Sequence, residues 1–141
     1  MTKDQFKFFY KLRVRYAEVD SQGIVFNAHY LTYFDTALTE YMRGIDYDYK
    51  ALVSNEKLDF HVVKSTIEYL GAVAFDDVIE IGVAPGRIGN SSITWNLAVF
   101  KQGCDKCLTK GEIIWVCARV GEHKSQQLPE SLICAIREYQ Q

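Results

Sequence analysis

The sequence predicts an α+β domain in which a long central helix is wrapped by a curled antiparallel sheet of five strands. Residues 10–16 alternate between apolar and polar side chains, which is typical of a half-buried strand. Residues 31–45 repeat apolar side chains every three or four positions, as an amphipathic helix does. Four more strand-like segments lie between residues 60 and 120 with no helical segment among them. Neighbouring strands are therefore expected to form antiparallel hairpins that cover the helix.

The spacing of apolar residues predicts the central helix and its limits. Gly44 is placed to end the helix, because a left-handed conformation costs glycine little, and Asn27 is a suitable cap at the start. Residues 46–52 are expected to add one or two helical turns, and residues 54–59 to form a polar loop. The buried face is expected to hold Leu31, Phe34, Leu38, Tyr41, Met42 and Ile45, opposite Thr32, Thr36, Glu40 and Arg43.

The two faces of the predicted strands differ in polarity. Along residues 92–100, one face is wholly apolar and is expected to contact the helix. The other face is only partly polar, because Ala98 and Phe100 lie on it beside Thr94, so we expect a second subunit to cover it. Residues 132–139 predict a short terminal helix. The four strand-like segments are residues 60–70, 77–85, 92–100 and 109–120.

The composition is that of an ordinary globular protein, with 48% hydrophobic and 24% charged residues. A chain of 141 residues is long enough for one core, so we expect a single domain over residues 1–141. The net charge of −2, without any run of Lys and Arg, argues against nucleic acid as a partner. The amino-terminal residues are too polar for a signal peptide, and no apolar run approaches the roughly 20 residues of a membrane span. The sequence therefore predicts a cytoplasmic protein.

The cysteine and histidine residues do not predict a metal site. Cys104 and Cys107 form a C-x-x-C pair, but no second pair exists that would complete a tetrahedral zinc site. The segment lies between two strand-like runs, so a hairpin turn is the preferred interpretation and a redox dithiol the weaker one. The four cysteines of a cytoplasmic protein are expected to be thiols.

The segment before the central helix has the groups needed for acyl-group chemistry. The first amides of a helix lack acceptors within the helix and carry partial positive charge, so they can hold a polarised carbonyl. Asp20 lies a few residues upstream, and a carboxylate close to such amides is a minimal set for hydrolysing an activated acyl group. The alternative is that residues 20–23 only form a turn.

The same segment carries a family resemblance. Its matching residues are Tyr16, Glu18, Asp20, Gly23, Ile24, Val25, Asn27, Tyr30 and Phe34, and further matches lie at residues 62–70, 75–77 and 87–95. This order resembles the 4-hydroxybenzoyl-CoA thioesterase family of hotdog-fold proteins, up to about Pro129. It looks most similar to the short bacterial acyl-CoA thioesterases, including the type encoded beside the Tol-Pal envelope system. Ala72 and Val73 depart from the Pro-Ala common in the family, and Arg119 replaces a shorter polar residue.

The resemblance implies a hotdog fold and assigns the chemistry to the loop before the helix. Asp20 matches the catalytic aspartate, which acts as general base or nucleophile. The backbone N–H of Asn27 matches the amide that polarises the thioester carbonyl. Gly23 permits a turn that brings the chain close to the acyl group, and Ile24 and Val25 are expected to contact the substrate with it.

Other substrate contacts are expected from residues outside this loop. His29 lies near the helix start, although the helical wheel places it on the polar side. Tyr16 either contacts the acyl group or is a buried tyrosine that ends a strand, and Glu18 is expected to be a solvated carboxylate. The candidates for binding the coenzyme A portion are Arg87, Ser91 and Ser92, which match a family segment near the pantetheine and are otherwise only solvated.

The expected function is hydrolysis of an acyl-CoA thioester, or of an acyl carrier protein thioester, without a metal or other cofactor. Proteins of this family are dimers or tetramers with the acyl tunnel at the dimer interface, so a homodimer or tetramer is expected. A dehydratase or hydratase on the same fold is an alternative, but the Asp-x-x-x-x-His arrangement is missing after Asp20. A non-catalytic acyl-CoA-binding module is the other alternative, since fold alone does not decide function.

Overall fold

The computed structural model describes residues 1–141, which form one antiparallel sheet with a long helix against one face. This confirms the predicted α+β class and the predicted five-stranded sheet. The strands are β1 (Phe8–Arg13), β2 (Leu58–Tyr69), β3 (Val78–Ile88), β4 (Ser92–Lys101) and β5 (Cys107–Arg119). The helices are α1 (His29–Gly44), the short α2 (Tyr49–Ala51), which continues into a π-helical turn (Leu52–Glu56), and α3 (Glu130–Gln140), with 3-10 turns at Lys3–Gln5 and Tyr16–Glu18.

The strands lie in the order β1-β3-β4-β5-β2, and every neighbouring pair is antiparallel. Hairpins join β3 to β4 and β4 to β5, as predicted, but the expected hairpin between β2 and β3 is wrong, because β2 pairs with β5 instead. The strands β1 and β2 form the two edges of the sheet. Because all pairs are antiparallel, the end of β2 and the starts of β3 and β5 lie at one end of the sheet, which is also where the functional site lies.

The helix α1 packs its apolar face on the sheet. Phe34, Ala37 and Tyr41 are fully buried, and the ring of Tyr41 lies 5.1 Å from that of Trp95 on β4. The predicted buried face is therefore confirmed except at Leu31, which is 44% exposed. Leu31 lines a surface groove between α1 and β2 instead of the core.

The predicted end of α1 at Gly44 is confirmed, but the predicted cap is one residue too early and the left-handed residue is not Gly44. The cap position belongs to Ala28, which has no side-chain hydrogen bond to the helix, so Asn27 precedes the helix without capping it. Gly44 is the last helical residue, and the left-handed residue is Asp46, with φ 57°. Gly44 is needed for a different reason, because a Cβ there would lie 2.7 Å from the Phe8 ring on β1.

The first strand begins two residues earlier and ends three residues earlier than predicted. It ends at Arg13, and the chain then turns into the 3-10 segment Tyr16–Glu18. Tyr16 is 79% exposed, so the interpretation of this residue as a buried tyrosine that ends a strand is wrong. The ordered turn exists because Glu18 hydrogen-bonds back to Arg15, and this contact also positions the loop that follows.

The part of the outer face of the sheet around Ala98 and Phe100 is covered by the chain itself, where a second subunit was expected. Phe6, just before β1, packs its ring 6.1 Å from that of Phe100, and both Ala98 and Phe100 are fully buried. Gly82 on β3 makes room, because a Cβ there would lie 2.6 Å from the Phe6 ring. The amino-terminal segment thus supplies the cover that the alternating pattern of β4 requires.

The terminal helix α3 is confirmed and is longer than predicted. Its buried residues Leu132 and Ile136 join the main core, and Gln140 donates a hydrogen bond of 3.1 Å to the Tyr41 hydroxyl. The predicted polar loop over residues 54–59 is partly wrong, because residues 52–56 form the π-helical turn and Leu58 begins β2. None of the helices has the length and apolarity needed to cross a membrane.

Candidate active site

A tight loop before α1 presents Asp20 at one end of the sheet. The N–H of Asp20 donates to the carbonyl of Ile24 at 2.9 Å, and the N–H of Gly23 donates to the carbonyl of Asp20 at 3.0 Å. Gly23 adopts φ +76°, a conformation that glycine reaches without steric cost. The Asp20 carboxylate accepts the N–H of Gln22 at 2.8 Å through Oδ1, which leaves its remaining acceptor sites for a ligand.

Asp20 opens onto a cleft of about 480 Å³. The cleft has two walls, one from the loop and the start of α1 and the other from the end of β2 and the turn after it. Four of the residues predicted from the sequence therefore meet here, namely Asp20, Ile24, Val25 and Asn27. The remaining lining residues are Gln22, Tyr30, Tyr69, Leu70, Gly71 and Ala72.

The chain at the start of α1 offers free backbone donors. The N–H groups of Asn27 and Ala28 have no acceptor, whereas the N–H of His29 donates to the carbonyl of Phe26 at 3.0 Å. Free amides at a helix start favour a negatively charged or polarised oxygen. Asp20, which carries a carboxylate, and Asn27, which carries an unpaired amide, thus line one cleft, and these two groups are able to hydrolyse an activated acyl group together.

The buried carboxylate of Glu18 stabilises the turn that leads into the Asp20 loop. Glu18 is only 9% exposed, and its oxygens accept hydrogen bonds from the N–H of Arg15 at 2.8 Å, its Nη2 at 3.0 Å and the hydroxyl of Tyr33 at 3.0 Å. Burial raises the pKa of Glu18, but the bonds from Arg15 and Tyr33 outweigh this effect, so the pKa is lowered overall. The expectation of a solvated Glu18 is wrong, because Tyr33 of α1 closes over it.

The buried tyrosines beside the cleft remain neutral. Burial raises the pKa of Tyr30, and burial followed by the hydrogen bond to Glu18 raises that of Tyr33. The rings of Tyr30 and Tyr33 meet edge to face at 5.9 Å, and Tyr69 lies against Tyr30 at 5.4 Å. The loop and the helix start therefore rest on a continuous aromatic layer.

The sequence can now be compared with known families. A model of the thioesterase superfamily matches residues 22–108, which include most of the cleft. This chain belongs to the thioesterase superfamily. The resemblance noted in the sequence and the assignment to the thioester hydrolases are both confirmed.

Individual relatives of this thioesterase cover nearly all of its length. It is 27% identical over 131 residues to the acyl-CoA thioester hydrolase YbgC of Escherichia coli O6:H1, covering 93% of this chain and 96% of the relative. A solved structure from Pseudomonas aeruginosa has a TM-score of 0.87 at 27% identity, over 98% of this chain and 94% of that one. A solved 4-hydroxybenzoyl-CoA thioesterase has a TM-score of 0.85 at 16% identity, over 92% of this chain and 97% of that one. This similarity confirms the hotdog fold.

Some predicted site residues of the thioesterase lie outside the cleft. His29 packs beside Phe26, with ring centres 5.9 Å apart, and Tyr16 packs beside Phe75 at 5.8 Å. Neither of the two predicted residues lines the cleft. Gly23 is not a lining residue either, but its turn sets the path of the loop.

The predicted coenzyme A residues lie far from Asp20 in the same chain. Arg87 is near the end of β3, and Ser91 and Ser92 follow in the turn into β4. Asp20 lies at the opposite end of β3, near Val78. At about 3.3 Å per residue, these two ends of the strand are roughly 30 Å apart. One chain therefore does not bring these three residues to the cleft.

The sequence analysis did not predict the wall of the cleft that the end of β2 and the turn after it contribute. Tyr69, Leu70, Gly71 and Ala72 line the cleft, yet the periodicity of residues 60–70 marks them only as the end of a strand. The dense run of matches to the family over this segment was the available signal. Alternation along a strand identifies its faces, but does not indicate which distant loop its end contacts.

No group of three or more His, Cys, Asp or Glu side chains comes together as a metal site. All four cysteines are free thiols. Cys104 lies in the exposed turn between β4 and β5, and Cys107 is the first residue of β5, which confirms the hairpin interpretation of the C-x-x-C pair.

Proposed function

We propose that this thioesterase hydrolyses acyl-CoA thioesters to the free acid and coenzyme A. Asp20 acts as general base or nucleophile, and the backbone N–H of Asn27 polarises the thioester carbonyl. The observation that carries the proposal is that Asp20 and Asn27, the residue whose N–H has no acceptor, line the same open cleft. The substrate class rests on the Escherichia coli relative, whose name describes an acyl-CoA thioester hydrolase.

Two routes are compatible with this arrangement. As a general base, Asp20 takes a proton from water, the resulting hydroxide adds to the carbonyl carbon, and the C–S bond breaks to release the coenzyme A thiolate. As a nucleophile, the carboxylate of Asp20 adds to the carbonyl, expels the thiolate and forms a mixed anhydride that water then hydrolyses. In both routes negative charge develops on the carbonyl oxygen, and the Asn27 amide stabilises it.

We infer that residues 1–141 form one catalytic domain. Outside the matched residues 22–108, β1 pairs with β3 along its whole length, and α3 buries Leu132 and Ile136 in the main core. Both terminal segments thus share the core that supports the cleft.

A homodimer, alone or paired into a tetramer, is the assembly we propose. The edge strand β2 exposes Val62 by 54% and Val63 by 59%, and a largely apolar groove of about 360 Å³ runs beside it, lined in part by Leu31. An unpaired strand edge with exposed apolar side chains favours pairing with another strand. Antiparallel pairing of two β2 edges would bring the far end of one sheet towards the Asp20 end of the other. That geometry keeps Arg87, Ser91 and Ser92 of the second copy as candidates for the coenzyme A portion.

The alternatives are less well supported by the cleft. A dehydratase or hydratase requires a histidine that works with an acid, and no histidine lines the cleft. A binding module would make no demand on Asp20, whose carboxylate keeps acceptor sites for a ligand in the cleft. We therefore retain hydrolysis as the function.

A substrate panel tests the proposal. Thiol release is measured for the wild-type protein with short, long and aromatic acyl-CoA thioesters and with the same acyl groups on acyl carrier protein. Turnover of at least one acyl-CoA is the expected result. Turnover of acyl carrier protein thioesters alone would contradict coenzyme A as the carrier of the acyl group. Binding of acyl-CoA without turnover would contradict catalysis and favour a binding module. A metal chelator is expected to leave the rate unchanged.

A further inference from the structure

The hydroxyl of Tyr69 holds the backbone next to the proposed carbonyl-polarising amide. Tyr69 is the last residue of β2 and lines the cleft opposite the start of α1. Its hydroxyl donates a hydrogen bond of 3.1 Å to the carbonyl of Asn27, 42 residues earlier in the chain. The ring lies edge to face on the buried Tyr30, with centres 5.4 Å apart, so packing restricts its orientation.

The start of α1 has few other restraints. No side chain caps the helix, because the cap position is Ala28. The carbonyl of Asn27 also accepts the N–H of Tyr30, but at the longer distance of 3.4 Å. The bond from Tyr69 is therefore the shorter of the two that fix this carbonyl.

Fixing a carbonyl fixes the amide of the same peptide. The peptide group is planar and trans, so its C=O and N–H point in opposite directions. The bond from Tyr69 thus sets the rotation of the Asn27–Ala28 peptide and turns the Ala28 N–H away from Tyr69. The bond also restricts the φ and ψ torsions of Asn27, which relate this peptide to the preceding peptide that carries the Asn27 N–H. The N–H groups of Asn27 and Ala28 both lack an acceptor.

We propose that Tyr69 is a positioning residue, whose hydroxyl restrains the backbone of Asn27 and so keeps the free N–H of Asn27 directed at the substrate carbonyl. This inference rests on the proposed function, since it assigns a role within the same cleft. Tyr69 does not need to touch the reacting atoms, because it acts through the carbonyl of Asn27.

Kinetics of Tyr69→Phe test the proposal. The variant keeps the ring on Tyr30 and removes only the hydroxyl. We expect kcat to fall about 10-fold with KM unchanged, less than the roughly 100- to 1,000-fold that complete loss of an oxyanion donor costs. The matched control is Tyr139→Phe, because the Tyr139 hydroxyl also donates to a backbone carbonyl, that of Lys7 at 3.4 Å, outside the cleft. The control is expected to retain wild-type kcat.

A spectroscopic measurement separates positioning from a general structural effect. Ketone analogues of acetyl-CoA and benzoyl-CoA, in which CH2 replaces the thioester sulfur, keep the carbonyl but are not hydrolysed. With a 13C-labelled carbonyl, the infrared stretch of the bound analogue should shift to lower frequency in wild type and in Tyr139→Phe, and shift less in Tyr69→Phe. An equal shift and equal kcat in all three proteins would overturn the role of Tyr69 and leave the proposed function intact. Absence of turnover by wild type would overturn both.

Discussion

The hydroxyl of Tyr33 donates a 3.0 Å hydrogen bond to Oε1 of Glu18, and this bond ties the central helix to the turn that leads into the Asp20 loop. The carbonyl of the same Glu18 accepts the N–H of Phe26 at 2.9 Å, on the other side of the loop. Glu18 therefore holds both ends of the segment that presents Asp20. The position of the carboxylate depends on a buried contact that lies outside the cleft.

Removing this bond should destabilise the protein. Tyr33→Phe is expected to lower the free energy of unfolding by about 1.5–3 kcal/mol, the usual value for a hydrogen bond to a charged group. Urea denaturation measures the difference. Tyr139→Phe, which loses a longer bond to a neutral carbonyl, is the control and should lose only about 0.5–1.5 kcal/mol. Equal losses of unfolding free energy in the two variants would show that the hydrogen bond to Glu18 stabilises the protein no more than a bond to a neutral carbonyl does.

The stabilisation from Glu18 should depend on pH. Its pKa in the folded protein is lowered below the usual value of 4.5, because the folded state binds the ionised form better than the unfolded state does. The stabilisation is therefore fully present above about pH 4.5 and is lost as the pH falls through the folded pKa.

Glu18→Gln gives the measurement of this pH dependence. The difference in unfolding free energy between wild type and Glu18→Gln should be largest near neutral pH and shrink steadily in acid. Glu122→Gln, at an exposed carboxylate without a side-chain partner, provides the baseline. A difference that stays constant from pH 7 to acid would contradict the ionised state of Glu18.

The left-handed turn at Gly23 should matter for activity more than for stability. A Cβ at Gly23 meets no atom within 4 Å, so Gly23→Ala costs only the backbone strain at φ +76°, roughly 1–2 kcal/mol. Gly103, at φ +81° with equally open space in the turn between β4 and β5, is a matched control. Both alanine variants should lose similar stability in thermal unfolding, and only Gly23→Ala should lose activity. Full activity of Gly23→Ala would contradict this prediction, because it would show that catalysis does not depend on the left-handed turn at Gly23.

The edge of β2 should control assembly. Val62→Asp places a charge on the exposed edge and in the apolar groove beside α1, which opposes pairing of two copies. Light scattering after size exclusion should give a dimer or tetramer mass for wild type and a monomer mass for the variant. Val120→Asp, at a valine 48% exposed and outside the strands, should keep the wild-type mass. A monomeric wild type would contradict the proposed assembly.

The sequence predicted the features that depend on neighbours along the chain. The order of Asp20, Gly23 and Asn27 was sufficient to locate the loop before the helix, because the turn is made by contacts between residues only a few positions apart. The long helix and the antiparallel strands followed from their periodicity. These are local signals, and the pairing of β2 with the distant β5 overrides only the expected hairpin between β2 and β3.

The features that were missed depend on contacts between distant residues. Tyr69 meets Asn27 across 42 residues, and the burial of Glu18 depends on the fold placing Tyr33 above it. In the same way, Phe6 covers Phe100, so the chain itself buries an apolar patch that was assigned to a second subunit. Periodicity shows that a face is apolar, but not which part of the chain or which copy covers it.

The central claim is that Asp20 performs the hydrolysis, and the most direct measurement is kcat of Asp20→Asn against wild type on the best acyl-CoA of the panel. Asp105→Asn is the control, at an exposed aspartate in the turn between β4 and β5 without a hydrogen-bond partner. Asparagine keeps the shape of the side chain but neither accepts a proton from water nor attacks the carbonyl. We predict that kcat of Asp20→Asn falls by at least about 100-fold with wild-type circular dichroism, while Asp105→Asn keeps full activity. Equal rates for wild type and Asp20→Asn would contradict the account.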